Sequence, residues 1–250
     1  MTENHNNSWL ENTITEFVAD IANNNLSSEK NEPEWSDQPA WAKPLVGFAN
    51  GADPIFESYK EHVGDFHWTP AEIFAKEFPD HPFSAEELTV ISWVLPQTSS
   101  TKEIHRESKK IPPENWIRSR IFGEKTNVAL REKTAEVLNQ AGYPALAPTL
   151  TSEWKIKRSE QFWLASKWSE RHAAHAAGLG TFGLCDGLIT PVGKAIRTGS
   201  VVAKIDIIAT ERPYSDHRAY CLFFTDKACG DCIKRCPAGA LTKKGLHNKE

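Results

Sequence analysis

The clearest hydrophobic pattern in the chain is an uninterrupted apolar run, LTVISWVL, at residues 88–95. It is rich in β-branched residues and ends at Pro96, which is typical of a strand buried on both faces of a sheet. Residues 45–60 begin apolar, turn at 51–54 and resume with helical spacing. This pattern predicts a strand, a turn and a helix in succession.

Two helices are predicted from their ends. Thr69 precedes Pro70 and Glu72, and threonine caps a helix whose first position suits proline. Residues 117–141 show helical spacing and stop at Gly142, a common helix-ending residue.

The other segments are assigned less sharply. The expectations are a polar loop at 97–115, a strand or extended connector at 143–150, a helix at 161–177 ending at Gly178, and strands at 188–190 and 200–208. Because strands alternate with helices, the predicted fold class is a layered α/β body.

The first 40 residues differ in charge from the rest, with eight acidic residues and one lysine. Ser8 and Glu11 predict a capping box. An apolar stripe should follow on one helical face and rest on the body; it comprises Leu10, Ile14, Phe17, Val18 and Ile21. Residues 23–37 are predicted to be a polar linker. Residues 1–40 therefore form a peripheral segment.

Bulk properties exclude some classes of protein. The net charge of -4 over 250 residues argues against a dedicated nucleic-acid binder, and no apolar stretch has transmembrane length. A secretory signal pattern is absent, so we expect a cytoplasmic protein with reduced thiols. The nine Trp and twelve Phe residues serve either core packing or a pocket for a large flat ligand.

A literal G-x-G-x-x-G occurs at 178–183. A dinucleotide site needs a strand before these glycines and a helix after them, and here the predicted order is reversed. The sequence therefore argues against nicotinamide binding, although three glycines in six residues still allow a sharp bend and a close approach.

Four cysteines lie near the end of the chain: Cys221, Cys229, Cys232 and Cys236, the last followed by proline. The spacing C-x2-C-x3-C-P matches most of a bacterial ferredoxin run and indicates a 4Fe–4S cluster. Asp226 stands where that run has its first cysteine, and Cys221 is an alternative ligand. A structural zinc site is the other interpretation.

The segment ERHAAHAAGLGTFGLCDGLITPVGKAIRTGSVVAKIDI at 170–207, followed by the cysteine run, resembles the epoxyqueuosine reductase family and the related reductive dehalogenases. Upstream, PLVGFANGADPIFESYK, HWTP and TVISWVLP are similar to uncharacterised 4Fe–4S members of this group. The resemblance covers roughly residues 44–245. The resemblance is specific because three features occur together: the glycine block at 178–183, the strand ending in Thr190-Pro191, and the cysteine run at 221–236.

The resemblance implies a cobalamin-binding α/β core at 41–215 joined to a ferredoxin-type segment at 216–250. Clusters would deliver electrons to cobalt, and cobalt would reduce a small-molecule substrate. It implies an external electron donor of flavodoxin or ferredoxin type. The implied corrinoid-binding residues are Gly178, Gly180, Gly183, Thr190, Pro191 and Ser200.

The chain departs from the family at two places. Leu164 occupies the position that aligns with an aspartate proton donor, so queuosine chemistry is not expected and no catalytic residue is assigned. The family also has further cysteines downstream, so either the four present share one cluster or the chain is a fragment. The D-x-H-x-x-G motif for histidine ligation of cobalt is missing, because Pro70 replaces its glycine after His67.

Several other residues have open assignments. Cys185 is expected to be a small buried residue. His172 and His175 share a helix face and are expected to be polar surface rather than a metal pair. Glu170 and Arg171 either contact a substrate or form a local ion pair. Three functions remain: a corrinoid-dependent iron–sulfur oxidoreductase, a non-catalytic ferredoxin-like electron carrier, and a zinc-stapled binding protein.

Overall fold

The computed structural model describes residues 6–28, 32–108, 111–160 and 163–246, with the backbone alone at Leu246. Its α-helices are α1 (Asn7–Ala19), α2 (Pro33–Ser36), α3 (Ile55–Val63), α4 (Pro70–Glu77), α5 (Ser99–Glu107), α6 (Glu114–Gln140), α7 (Glu170–Ala176), α8 (Leu222–Thr225) and α9 (Asp231–Lys234). Its strands are β1 (Leu45–Asn50), β2 (Leu88–Pro96), β3 (Ala145–Leu146), β4 (Ile156–Ser159), β5 (Trp163–Ser166), β6 (Thr181–Phe182), β7 (Leu188–Ile189), β8 (Ile196–Lys204), β9 (Leu241–Thr242) and β10 (Gly245–Leu246).

A four-stranded antiparallel sheet with the order β1-β2-β8-β3 forms the centre of the fold. All nine residues of β2 are buried, which confirms the strand predicted from the apolar run. β2 needs apolar residues on both faces because β1 and β8 flank it and helices cover both sides of the sheet. The fold is therefore mixed α/β, as predicted.

Alternate residues of the strands supply two separate cores, since successive strand side chains point to opposite faces. Ile91 and Trp93 of β2 pack with α1 and α6 on one face. Val90 and Val94 pack with α3, α4 and α7 on the other. The second face, which carries α3 and α7, is the one that builds the cavity described below.

Helix ends were partly predicted. Thr69 and Glu72 form the expected capping box, and Gly178 follows α7 with φ of +79°. Asn6, rather than Ser8, caps α1, because the Asn6 side chain accepts from the Trp9 amide. Leu10, Ile14 and Val18 of the predicted stripe are buried, which confirms that the helix rests on the body.

Three predicted segments were wrong. Residues 97–115 contain α5, whose polar residues bury only one side chain, Thr101, and so left no apolar stripe in the sequence. The helix predicted at 161–177 begins at Glu170; residues 161–162 lie outside the described part, and 163–166 pair with β4 as a hairpin. The linker at 23–37 is packed, because the buried Asn24 amide donates to the backbone of Val18 and Trp41; residues 29–31 are not described.

In the described ranges, no helix combines the length and the apolar character needed to cross a bilayer.

Candidate functional site

A cavity of about 1270 Å³ lies between α3, the β4–β5 hairpin and α7. Ordinary small-molecule pockets enclose roughly 300–1,000 Å³. Its floor comes from α3 and α7, its outer wall from the hairpin, and its far wall from Phe182 and residues 215–218 with Ala240. The space therefore suits a ligand larger than a typical metabolite.

The floor is a packed group of rings. The Tyr59 hydroxyl lies 2.8 Å from Nδ1 of His175 and donates to the backbone oxygen of His172 at 3.2 Å. The His172 ring is 4.6 Å from Tyr59, 4.8 Å from Phe182 and 5.5 Å from His67, between ring centroids. Sequence reasoning singled out His172 and His175 but did not group Tyr59, His67 and Phe182 with them. Tyr59 lies 116 residues from His175, too far for spacing to reveal, and Phe182 was considered only as part of the glycine block.

Burial keeps this floor uncharged at neutral pH. Desolvation lowers the pKa of His175 to about 4, with Arg212 adding to the effect. Desolvation likewise lowers the pKa of His67 and puts that of His172 well below its usual range. It raises the pKa of Tyr59 well above its usual value. The floor thus offers neutral donors and acceptors rather than charges. The prediction of a polar helix surface was wrong for His175, which is 5% exposed.

The rim is more exposed and carries charges of both signs, with three arginines (158, 171 and 218) and two carboxylates (Glu160 and Asp186). Trp163 and Leu164 are 64% and 54% exposed, and both line the cavity from β5. Arg171 and Arg218 line it from α7 and from the segment before α8. Leu164 stands on this wall, and its aliphatic side chain has no proton to donate.

Glu170 and Arg171, left open by the sequence, have different roles. The Glu170 carboxylate accepts hydrogen bonds from Arg131 at 3.0 Å, from Thr149 at 3.1 Å and from Ser200 of β8. Burial raises the pKa of Glu170, while the neighbouring Arg131 opposes that rise. Glu170 therefore belongs to a buried ion network, whereas Arg171 lines the cavity and donates to the Asp186 backbone oxygen at 2.5 Å.

The glycine block joins α7 to the short β6–β7 ribbon. An added Cβ on Gly180 would lie 2.3 Å from the Ile189 backbone oxygen, so glycine permits this close approach. A helix precedes the block and a strand follows it, which confirms the order used to argue against dinucleotide binding.

The six residues implied to bind a corrinoid lie beside the cavity rather than on its surface. None of Gly178, Gly180, Gly183, Thr190, Pro191 and Ser200 lines it, although Phe182 of the same block does. Thr190 is buried and donates to the Gly193 backbone oxygen at 2.7 Å, and Ser200 accepts from the Trp168 indole at 3.0 Å. Their corrinoid role stays a prediction.

The four candidate cluster cysteines are not gathered. Cys221 is buried at the start of α8, Cys229 is exposed, and Cys232 and Cys236 are half-buried. Across the residues that the structure describes, no three His, Cys, Asp or Glu side chains are grouped to hold a metal ion. As placed, these cysteines are not assembled around a common point, although four thiolates are a suitable donor set for an iron–sulfur cluster or a zinc ion.

Cys185 has a partner that the sequence did not reveal. The Lys194 ammonium contacts its sulfur. Burial opposes ionisation of the thiol, but Lys194 together with the backbone N–H groups of Gly187 and Cys185 lowers the pKa of Cys185. Burial raises the pKa of Cys232, and the charge of Cys185 adds to that rise. Cys185 is half-buried rather than fully buried as expected, and its thiol ionises more readily than an ordinary cysteine.

Comparisons with known proteins gave weak likenesses. No family model and no curated protein sequence matches the chain. Among solved structures, the epoxyqueuosine reductase from Bacillus subtilis matches with TM-score 0.40 and 16% identity, over 82% of this chain and 50% of that one. An epoxyqueuosine reductase with a tRNA-Tyr epoxyqueuosine-modified stem loop matches with TM-score 0.43 and 16% identity, over 81% and 50%.

The epoxyqueuosine reductase from Streptococcus thermophilus matches with TM-score 0.38 and 17% identity, over 80% of this chain and 50% of that one. This chain spans about half the length of the solved structures it is similar to. The family that the glycine block and cysteine run resemble is therefore among the structural neighbours. TM-scores below 0.5 do not bear on the chemistry of the site.

Proposed function

We propose that this chain is an iron–sulfur oxidoreductase of the epoxyqueuosine-reductase-like group that binds a corrinoid in the cavity. The supporting observation is that the cavity adjoins the cysteine segment. Arg218 and Ala240 both line the cavity. They stand on either side of the segment that contains all four candidate cluster cysteines. A large ligand site and a redox-type cysteine run are thus neighbours.

The cavity fits a corrinoid by size and chemistry. Its volume of about 1270 Å³ exceeds that of ordinary metabolite pockets, and its wall mixes apolar and polar side chains. Phe182 and Trp163 would pack against the ligand, while Tyr59 and His175 would meet it at the floor. A bound corrinoid would supply a cobalt centre that accepts and donates single electrons.

The residues of this chain would bind, orient and shield that ligand. The neutral rings of the floor exclude water without placing a charge against an apolar ligand. Arg171 and Arg218 at the rim favour a substrate or ligand edge that carries negative charge. Because Leu164 offers no proton, an acid for the substrate must come from another group or from water.

The cluster half of the proposal is supported by spacing alone. The C-x2-C-x3-C-P run is typical of 4Fe–4S proteins, but its cysteines are not assembled in the described structure. We therefore assign no electron path. A flavodoxin- or ferredoxin-type donor, a small-molecule substrate and a cytoplasmic location complete the proposal.

The test is anaerobic reconstitution with iron and sulfide, followed by titration with cob(II)alamin. We expect about four iron and four sulfide per chain, a brown chromophore and a saturable change in the cobalamin absorbance. Cys229→Ala should lose the chromophore, while Cys185→Ala, outside the run, should keep it. Protein that binds neither iron nor cobalamin would refute the proposal.

A second candidate is a non-catalytic electron carrier, which is favoured by an apolar leucine, rather than a carboxyl residue, at position 164 of the cavity wall. This candidate predicts that the reconstituted protein contains iron but leaves the cobalamin absorbance spectrum unchanged. A colourless protein that retains zinc in air would instead indicate a zinc-stapled binding protein.

A further inference from the structure

We infer that His175 presents an unprotonated Nε2 to the cavity as a hydrogen-bond acceptor, and that Tyr59 fixes this tautomer. The ligand of the cavity must then offer an N–H or O–H donor at this point. The inference deepens the proposed function and rests on it for the identity of the ligand, but the tautomer itself can be tested without any ligand.

The tautomer follows from the partners of Tyr59. Its hydroxyl has one proton and makes two contacts, one to the His172 backbone oxygen at 3.2 Å and one to Nδ1 of His175 at 2.8 Å. A backbone carbonyl only accepts, so the hydroxyl proton is directed to His172. Nδ1 of His175 must therefore carry a proton and donate it to the Tyr59 oxygen. A neutral imidazole with Nδ1–H has its lone pair on Nε2.

The Nε2 atom is buried and has no hydrogen-bond partner in the structure. The residue is 5% exposed, yet it lines the cavity. Its ring stacks on Tyr214 at 5.2 Å and meets Phe182 at 5.3 Å, between centroids. The Tyr214 hydroxyl donates to the His175 backbone oxygen at 2.7 Å, and the Phe182 side chain has no donor, so neither neighbour pairs with Nε2. Buried polar atoms are normally paired, and an unpaired one calls for a missing partner.

The ring cannot satisfy Nε2 by taking up a second proton. Burial lowers the pKa of His175 to about 4, so the imidazole stays neutral at physiological pH. A ligand carboxylate or phosphate has no proton to donate and would face a lone pair. Hydroxyl and amide groups are suitable, and the corrin periphery carries primary amides whose N–H groups donate.

The first experiment reads the tautomer directly from the 250-residue chain. Long-range 1H–15N NMR spectra distinguish Nδ1–H from Nε2–H imidazoles, and His175→Gln identifies the resonance. We expect the Nδ1–H form in the wild-type protein. Tyr59→Phe removes the acceptor of that proton, so we expect a shift toward Nε2–H, an effect that mere loss of packing would not produce. Wild-type protein in the Nε2–H form overturns the inference.

The second experiment measures cob(II)alamin affinity by absorbance titration. His175→Phe keeps a ring of similar shape but removes the acceptor, and we expect about tenfold weaker binding, the size of one hydrogen bond. His175→Gln retains an acceptor oxygen and should lose less. His81→Phe, on an exposed histidine away from the cavity, is the matched control.

The outcomes separate the two proposals. If wild-type protein fails to bind cob(II)alamin, the proposed function fails, while the NMR spectrum still decides the tautomer. If wild-type protein binds and His175→Phe binds equally well, the ligand contact is refuted although the proposed function stands.

Discussion

Removal of the Arg131 side chain should destabilise the protein far more than removal of an exposed lysine on the same helix. Arg131 is 5% exposed along its side chain and donates to Glu170 at 3.0 Å and to Glu124 at 3.1 Å. Its third contact is the Thr198 backbone oxygen at 3.2 Å. It therefore ties α6 to α7 and β8 beneath the cavity floor.

The magnitude depends on what is left behind. Glu170 is 13% exposed, so Arg131→Met leaves its carboxylate buried without a counterion. Breaking such a buried pair typically costs about 3–5 kcal/mol. The Glu124 side chain is 28% exposed, so water can solvate its carboxylate once Arg131 is gone, and it adds little to the destabilisation. We expect a loss of about 3–4 kcal/mol, a large part of the roughly 5–15 kcal/mol that stabilises most domains.

The cost should increase with pH. Burial raises the pKa of Glu170 in the folded state, and loss of Arg131 removes the group that opposes this rise. The folded variant then holds a proton that the unfolded chain releases, so its stability falls as pH increases above the ordinary glutamate value. The destabilisation should be smaller at pH 5 than at pH 8.

Urea unfolding followed by circular dichroism at both pH values measures this effect. Lys133→Ala is the control, because the Lys133–Glu136 pair on α6 is about half exposed on both sides and should contribute less than about 1 kcal/mol. Equal destabilisation by Arg131→Met and Lys133→Ala at pH 8 would refute the buried-network reasoning.

Three further results are expected. Gly123→Ala should destabilise the protein by about 1–3 kcal/mol in urea unfolding, because the new Cβ would lie 2.8 Å from a buried indole ring. Thr69→Ala should cost about 1 kcal/mol in thermal unfolding, because it removes the capping side chain of α4. Lys194→Gln should slow iodoacetamide labelling of Cys185 near neutral pH, because the ammonium that lowers the pKa of that thiol is lost.

Each of these has a matched control. Gly230→Ala should be nearly neutral, because a Cβ there meets nothing within 4 Å. Thr69→Ser keeps the capping oxygen and should retain most of the stability. Peptide mapping separates Cys185 from the other cysteines, and unchanged labelling of Cys185 in Lys194→Gln would contradict the assigned role of the ammonium.

Much of the sheet and its main helix was readable from the sequence because their signals are local. The apolar run of β2 is buried on both faces, so it needs no alternation, and the caps at Thr69 and Gly178 act within one turn of chain. α5 was missed because a helix that buries one side chain leaves no periodic stripe. The pairing of β4 with β5 was missed because contact with β4, rather than intrinsic preference, makes residues 163–166 a strand.

The candidate site was less predictable, because most of its contacts are not local in the sequence. The sequence by itself determined the α/β class, the buried central strand and the cysteine run, since each depends on residue type and short spacing. Only the tertiary structure decided that Tyr59 meets His175, that Lys194 meets Cys185 and that Glu170 is an ion-network residue. The Tyr59 and Glu170 contacts join residues 116 and 39 positions apart, and even the nine-residue step from Cys185 to Lys194 matches no helical or strand spacing. Packing of α3 and α7 on one face of the sheet is what brings Tyr59 to His175.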